Sequence, residues 1–117
     1  MPLPGTPDEL MALLHETVAA LVRRDGPDLT TRQLGVFLRV YVYAAPHTGH
    51  DLALALNLPD GAVSDALDQL CGAVLVRREA NALDARSVLV QRTVKGAALI
   101  REIRQIMREA ISLPPAG

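Results

Sequence analysis

The stretch VLVRREANALDARSVLVQRTVKG, residues 74–96, decides the fold of this chain. It contains two short runs of β-branched and aliphatic residues, at 74–76 and 88–90, and each run lies next to polar residues. The segment between them, 77–87, is mostly polar and charged. This pattern predicts a two-stranded hairpin with a long, exposed tip. Thr93 follows the hairpin and is expected to cap a last helix over 94–112.

Two helices are predicted near the start of the chain, and each follows a capping box. Thr6 begins the first box, and the apolar residues after it recur at three- and four-residue spacing, which predicts a helix over 6–25. Thr30 begins the second box, which predicts a helix from Thr31 to Ala44. This second helix is apolar nearly all round, which favours a central place in the core.

A helix-turn-helix is predicted in the middle of the chain. Thr48 is expected to cap a short helix that runs to Asn57, and Asp60 to cap a longer one whose inner face is apolar. Gly72 is expected to end the longer helix in a left-handed conformation. A short helix, a tight turn and a second helix of this length have the helix-turn-helix outline.

The predicted order of elements is that of a winged helix-turn-helix, mainly α with a small β-hairpin wing. From about Leu29 to about Met107 the sequence resembles the multiple antibiotic resistance regulator (MarR) family of bacterial transcription factors. The resemblance implies one winged helix-turn-helix domain over 1–117, with 30–93 as its winged-helix lobe. It is carried by four segments, namely AVSDALDQL at 62–70, LVRR at 75–78, DARSVLV at 84–90 and TVKG at 93–96.

The resemblance also implies a homodimeric DNA-binding transcriptional regulator. Family members pair through their terminal helices, here 6–25 and 94–112, and place two recognition helices in successive major grooves of double-stranded DNA. Each terminal helix carries an apolar stripe, and a domain this small is not expected to bury both stripes on its own core. The alternative is that the two stripes pack on each other within one chain.

Candidate DNA contacts follow from the same resemblance. Arg86 lies at the predicted wing tip, where a guanidinium can enter the minor groove, and Asp84 is expected to hold it by a salt bridge. The alternative is an ordinary surface ion pair. The 60–71 helix and the 77–87 wing would read the DNA together. Further candidate contacts to bases or phosphates are Ser64, Gln69, Arg77, Arg78, Thr31 and Thr48.

The recognition helix is acidic, and here the sequence departs from the family pattern. Its outward positions include Asp60, Asp65 and Asp68, and there is no Lys or Arg from 58 to 76 before the wing begins. Carboxylates repel phosphates, whereas basic contacts supply most non-specific affinity for DNA. A second interpretation therefore stays open. In it the chain is a winged-helix interaction module whose three aspartates meet a protein partner, with DNA binding weakened or lost.

Charge and motifs narrow the remaining function classes. The net charge is −1, but residues 1–72 carry four arginines against nine carboxylates, while residues 73–117 carry eight basic against four acidic residues. Such a split is typical of a basic binding face or of a basic C-terminal helix. No nucleophile motif, phosphate loop or nucleotide-binding fingerprint is present. The sequence therefore predicts no enzyme and no cofactor.

Cellular context and three smaller features complete the predictions. One cysteine and the lack of a membrane-length apolar stretch or signal peptide favour a cytoplasmic protein with no membrane partner. His47 and His50 are interpreted as surface residues and not as metal ligands, because no Cys/His cluster accompanies them. Cys71 is predicted to be a buried, inert thiol. A candidate ligand pocket, with core packing as the alternative, involves Tyr41, Tyr43 and Arg39.

Overall fold

The computed structural model of this chain describes residues 5–26 and 28–112. They fall into two compact units, of which one contains 5–26 with 100–112 and the other contains 28–99. The structure confirms the predicted fold class, which is mainly helical with one two-stranded antiparallel hairpin. The elements in chain order are α1 (Pro7–Arg23), α2 (Thr31–Val42), α3 (Gly49–Leu56), α4 (Asp60–Gly72), β1 (Val76–Ala80), β2 (Val88–Arg92) and α5 (Val94–Ser112).

Threonine side chains cap the first three helices as predicted. Thr6 Oγ1 accepts from the Glu9 amide at 3.2 Å, and the Glu9 carboxylate accepts from the Thr6 amide at 3.2 Å. Thr30 and Gln33 form the same reciprocal box at the start of α2. Thr48 Oγ1 accepts from the amide three residues on, at 3.0 Å. These bonds satisfy amides that a helix start leaves without a partner.

The ends of α4 differ from the prediction. Pro59 occupies the N-cap position without a side-chain bond, so Asp60 is the first helical residue and not the cap. Gly72 is the last helical residue, and the left-handed residue is Val74, with φ of 60°. The prediction for Gly72 was wrong because the chain turns two residues later. Leu75, the residue after Val74, is buried, and its amide closes the turn by donating a hydrogen bond to a carbonyl of α4.

The hairpin is longer, and its tip shorter, than the sequence predicts. The strands pair antiparallel from Val76 opposite Arg92 to Ala80 opposite Val88. Residues 77–80 therefore belong to β1, and the wing tip comprises residues 81–87 only. The sequence places these four residues in the tip because the segment is mostly polar and charged. In the structure all four are exposed, so β1 lacks the alternation of buried and exposed positions that marks a strand.

The core of the 28–99 unit lies against one face of α2. Val36, Phe37 and Val40 are fully buried, whereas Val42 is 60% exposed, so α2 is not buried on all sides. The helix ends at Val42, two residues before the predicted end, and Arg92 donates to the Val40 carbonyl near that end at 2.9 Å. The other buried apolar residues of this unit are Tyr41, Leu52, Ala53, Val63, Ala66, Leu67, Leu70, Leu75, Val76, Val90 and Leu99.

The start of α5 approaches α2 closely at Gly96. The Tyr41 hydroxyl donates to the Leu75 carbonyl at 2.7 Å and accepts from the Thr93 amide at 2.9 Å. Thr93 Oγ1 in turn accepts from the Gly96 amide at 3.0 Å, which confirms Thr93 as the cap of α5. A Cβ atom on Gly96 would overlap both the Tyr41 hydroxyl and the Leu75 carbonyl. Glycine is required at this position because any side chain would separate the two elements.

The other unit contains α1 and the second half of α5. Arg24 pairs with Glu102 at 3.3 Å, and Thr17 and Ile103 are buried. One face of α1 nevertheless remains apolar and exposed. It consists of Met11, Leu14, Val18 and Val22, which are 44–74% exposed. Among the residues that the structure describes, no helix is long and apolar enough to cross a membrane.

Candidate nucleic-acid interface

The outward face of α4 carries polar side chains at helical spacing. Ser64, Asp65, Asp68 and Gln69 are all exposed, one turn apart in two pairs. The opposite face is buried and anchors the helix in the core through Val63, Ala66, Leu67 and Leu70. The sequence-based assignment of this outward face is confirmed.

One of the α4 carboxylates is paired with the wing. Arg78 Nη1 donates to Asp68 Oδ1 at 2.7 Å, and Arg78 Nη2 donates to the Ser64 carbonyl at 3.0 Å. Arg78 therefore ties β1 to α4 and neutralises Asp68. The sequence predicts Arg78 only as a candidate contact to bases or phosphates, because no local pattern links a strand residue to a helix that precedes it.

Arg77 has a different environment from its neighbour. It lies 3.7 Å from Glu79 on the same strand, and both side chains are about half exposed. Glu79 also accepts from Gln91 across the hairpin at 3.0 Å. Because successive strand residues point to opposite faces, Arg77 cannot share the α4 contact that Arg78 makes.

The wing tip, residues 81–87, is held by hydrogen bonds within the loop. Asn81 Oδ1 accepts from the Leu83 amide at 3.0 Å, and Asp84 Oδ1 accepts from the Arg86 amide at 2.9 Å. The Asp84 amide donates to the Asn81 carbonyl, and the Ser87 amide donates to the Asp84 carbonyl. Asn81 Nδ2 also donates to Ser87 Oγ at 2.8 Å. The tip is thus two consecutive turns, each supported by an Asn or Asp side chain.

The expected salt bridge between Asp84 and Arg86 is not formed. The carboxylate of Asp84 is used on the main chain of Arg86, which makes Asp84 a support for the turn and not a partner for the guanidinium. Within residues 5–26 and 28–112, the Arg86 guanidinium makes neither a hydrogen bond nor an ion pair. A free cation therefore stands at the end of an ordered loop.

Two clefts flank α4. The first, about 350 Å³, lies between α4, the start of α3 and the wing. Its lining includes His50 and the charged residues Asp60, Asp68, Arg78 and Arg86. The second, about 420 Å³, lies between α4 and the start of α2, with Arg32 and Asp65 among its lining residues. Arginines thus border the acidic helix on both sides. His50 Nδ1 lies 3.5 Å from Asp60 Oδ1, and both side chains are exposed.

The two threonine candidates lie at helix starts. Thr31 is the first residue of α2 and is exposed, while Thr48 caps α3 and is half-buried. Capping accounts for the Thr48 hydroxyl, and phosphate contacts at either residue stay predictions.

Tyr41, Tyr43 and Arg39 have different environments. Tyr41 is buried in the core with its hydroxyl bonded on both sides, so packing explains it. Tyr43 is two residues further on and 52% exposed, and the Arg39 guanidinium carbon lies 3.9 Å from the centroid of its ring. Residues two apart point to different sides of a helix, which separates Tyr41 from the other two.

His47 is buried, which corrects its assignment to the surface. It is 6% exposed, and its Nε2 lies 3.1 Å from the Tyr43 carbonyl oxygen. Its own carbonyl accepts from the Val90 amide at 2.8 Å, and Thr48 forms an antiparallel bridge to Leu89. Residues 47–48 therefore run beside β2, an arrangement too short to leave a pattern in the sequence.

Two candidates from the sequence analysis remain, namely His50 and Cys71. His50 is exposed, as predicted, whereas Cys71 is partly exposed and not buried. Across the part of the chain that the structure describes, no group of three or more His, Cys, Asp or Glu residues could hold a metal ion.

The arrangement of α3, α4 and the hairpin defines a winged helix-turn-helix protein. Its fold is the MarR-like winged helix, so the resemblance found in the sequence is confirmed at the level of the fold. Neither a protein-family model nor a curated protein matches the sequence.

Three solved structures illustrate the likeness. The MepR–DNA complex from S. aureus has a TM-score of 0.71 and 23% sequence identity, over 90% of this chain and 81% of that chain. A transcriptional regulator from Thermotoga maritima has a TM-score of 0.71 and 16% identity, over 87% and 68% of the two chains. A mutant MarR from E. coli complexed with operator DNA has a TM-score of 0.64 and 28% identity, over 85% and 65%.

Proposed function

We propose that this chain is a MarR-like transcriptional regulator that binds double-stranded DNA as a homodimer and catalyses no reaction. The α4 helix meets the major groove, and the wing tip meets the minor groove. The observation that carries the proposal is Arg86, whose unpaired guanidinium stands on an ordered tip and lines the same cleft as α4. The minor groove attracts such a cation because its potential is strongly negative. Two similar proteins, MepR and MarR, were solved with DNA.

The acidic character of α4 is compatible with this function because part of it is cancelled within the protein. Arg78 neutralises Asp68, and Arg32 and Arg86 line the clefts on either side of the helix. An aspartate can also accept a hydrogen bond from the amino group of cytosine. The carboxylate that faces DNA without a partner in the described residues is Asp65. Ser64 and Gln69, exposed on the same face, are the candidate contacts to bases or phosphates.

Arg86→Ala is expected to weaken DNA binding about tenfold and to lower the salt slope by about one phosphate contact. The reason is that the substitution removes a free cation without disturbing a bond in the wing tip. Fluorescence anisotropy on a mixed-sequence duplex, titrated across salt concentrations, measures both quantities. The matched control is Arg23→Ala, which removes the same charge from the last turn of α1 in the other unit. Equal losses in both variants would remove the wing from the mechanism.

The exposed apolar face of α1 supports the homodimer. Leu14→Glu is expected to convert the dimer into a monomer, because a carboxylate would be buried in the pairing surface without a partner. Sedimentation velocity gives the oligomeric state directly. Ala12→Glu is the control, since it places the same carboxylate on another, exposed side of α1. A Leu14→Glu variant that stays dimeric would place the interface elsewhere.

A further inference from the structure

The wing tip presents apolar side chains outward. Apart from Arg86, its polar side chains are Asn81, Asp84 and Ser87, and all three form hydrogen bonds within the loop. Ala82, Leu83 and Ala85 are all exposed, and Leu83 reaches 97%. No other large apolar side chain in the described residues is as exposed as this leucine. The tip therefore offers a partner exposed apolar side chains in the same short loop as the cation of Arg86.

Its surroundings distinguish Leu83 from an ordinary surface leucine. Single exposed apolar side chains are common on proteins and need no explanation. Here, however, the amide of Leu83 donates to Asn81 Oδ1, so the residue sits in a hydrogen-bonded turn. It is also three positions from Arg86, whose guanidinium has no partner among residues 5–26 and 28–112. An ordered loop therefore displays one large apolar group and one free cation together.

We propose that Leu83 is an apolar wedge, which enters the minor groove beside Arg86 and partly unstacks one base step. This inference rests on the proposed DNA-binding function. Leucine is among the side chains that other minor-groove proteins insert between base steps, which kinks the duplex. Pyrimidine–purine steps such as TA unstack most easily. Leu83 would therefore give the wing a preference for such steps without any hydrogen bond to a base.

The two tip residues differ in how they respond to salt. Arg86 binds by charge, so its contribution falls as salt rises, whereas apolar contact by Leu83 releases no counterions. Leu83→Ser is therefore expected to reduce affinity without changing the salt slope. Arg86→Ala is expected to change both the affinity and the salt slope. The salt slope therefore distinguishes the role of Arg86 from that of Leu83.

The test uses two short duplexes that differ only in a central TA or AA step, each with a fluorescent adenine analogue at that step. Wild-type protein is expected to bind the TA duplex more tightly and to raise the analogue's fluorescence, which reports unstacking. Leu83→Ser is expected to lose the fluorescence rise and the TA preference, and to bind the TA duplex about tenfold more weakly at unchanged salt slope. Leu54→Ser, at another exposed leucine, is the matched control and is expected to behave as wild type.

The outcomes separate the wedge from the broader function. If wild type binds both duplexes, Arg86→Ala weakens binding and Leu83→Ser changes nothing, the wedge is wrong while the proposed function stands. If wild type binds neither duplex at low salt, both proposals fail. If Leu83→Ser alters the oligomeric state and leaves DNA affinity unchanged, Leu83 contacts protein and the wedge is again wrong.

Discussion

Replacing Gly96 with alanine is expected to lower the free energy of unfolding by about 3 kcal/mol or more. The added Cβ would overlap the Tyr41 hydroxyl and the Leu75 carbonyl. The Leu75 carbonyl oxygen is a backbone atom in the turn between α4 and β1, so it cannot move aside as the end of a flexible side chain would. Relief requires α5 to shift, which breaks the bonds that Tyr41 makes to Leu75 and Thr93. A domain with a total stability of about 5–15 kcal/mol loses a large share of it.

Urea and thermal unfolding measure this loss, and Gly61→Ala is the matched control. Gly61 lies in α4 with open space where a Cβ would be, so alanine there is expected to stabilise the protein by up to about 1 kcal/mol. In the Gly96→Ala background, Tyr41→Phe removes the overlap with the hydroxyl but keeps those with the ring carbon Cζ and the Leu75 carbonyl. It also removes both hydrogen bonds of the hydroxyl, so little of the loss is expected to be recovered. A Gly96→Ala protein as stable as wild type would contradict the close approach of α5 to α2.

Asp65→Arg is expected to raise affinity for mixed-sequence DNA about tenfold or more at low salt, with a steeper salt slope. Asp65 is exposed on α4 and, in the described part of the chain, has no hydrogen-bond or ion-pair partner. The substitution therefore changes the charge facing the phosphates by two units and breaks no contact. Anisotropy across a salt series measures both the affinity and the slope.

Asp25→Arg is the control for this charge reversal. Asp25 is exposed in the other unit, so reversing its charge changes the net charge equally but leaves α4 untouched. A gain that both variants share would be an effect of net charge, whereas no gain in Asp65→Arg would mean that α4 does not face DNA. The acidic helix leaves open the alternative that the chain binds a protein in place of DNA. In that case Asp65→Arg is expected to abolish the complex with the protein partner.

Four of the five helix starts were predictable because their signals are local. Thr6, Thr30, Thr48 and Thr93 each accept a hydrogen bond from the amide three residues further along, so a short window of sequence contains both partners. The order of elements followed from these starts and from the two apolar runs of the hairpin. The same locality explains why the outward face of α4 was assigned before its surroundings were known.

The contacts that shape the site could not be predicted because they join distant positions. Nothing in the sequence around Arg78 shows that its side chain reaches Asp68, and nothing near His47 shows that its carbonyl bonds to Val90. At the wing tip the error was of another kind. The prediction for Asp84 and Arg86 was a salt bridge, but the carboxylate bonds to the amide of Arg86 and leaves the guanidinium free.

If the lobe binds DNA as proposed, the link from Arg78 to Asp68 and Ser64 has a consequence for the sequence of its binding site. Because β1 is bonded to α4, the wing and α4 would then meet the duplex at a set offset along its axis. In a binding site, the flexible step that the wing meets in the minor groove would then lie a set number of base pairs from the bases that α4 meets in the major groove. Inserting a single pair between them would turn one of the two features away from the protein by about a tenth of a helical turn.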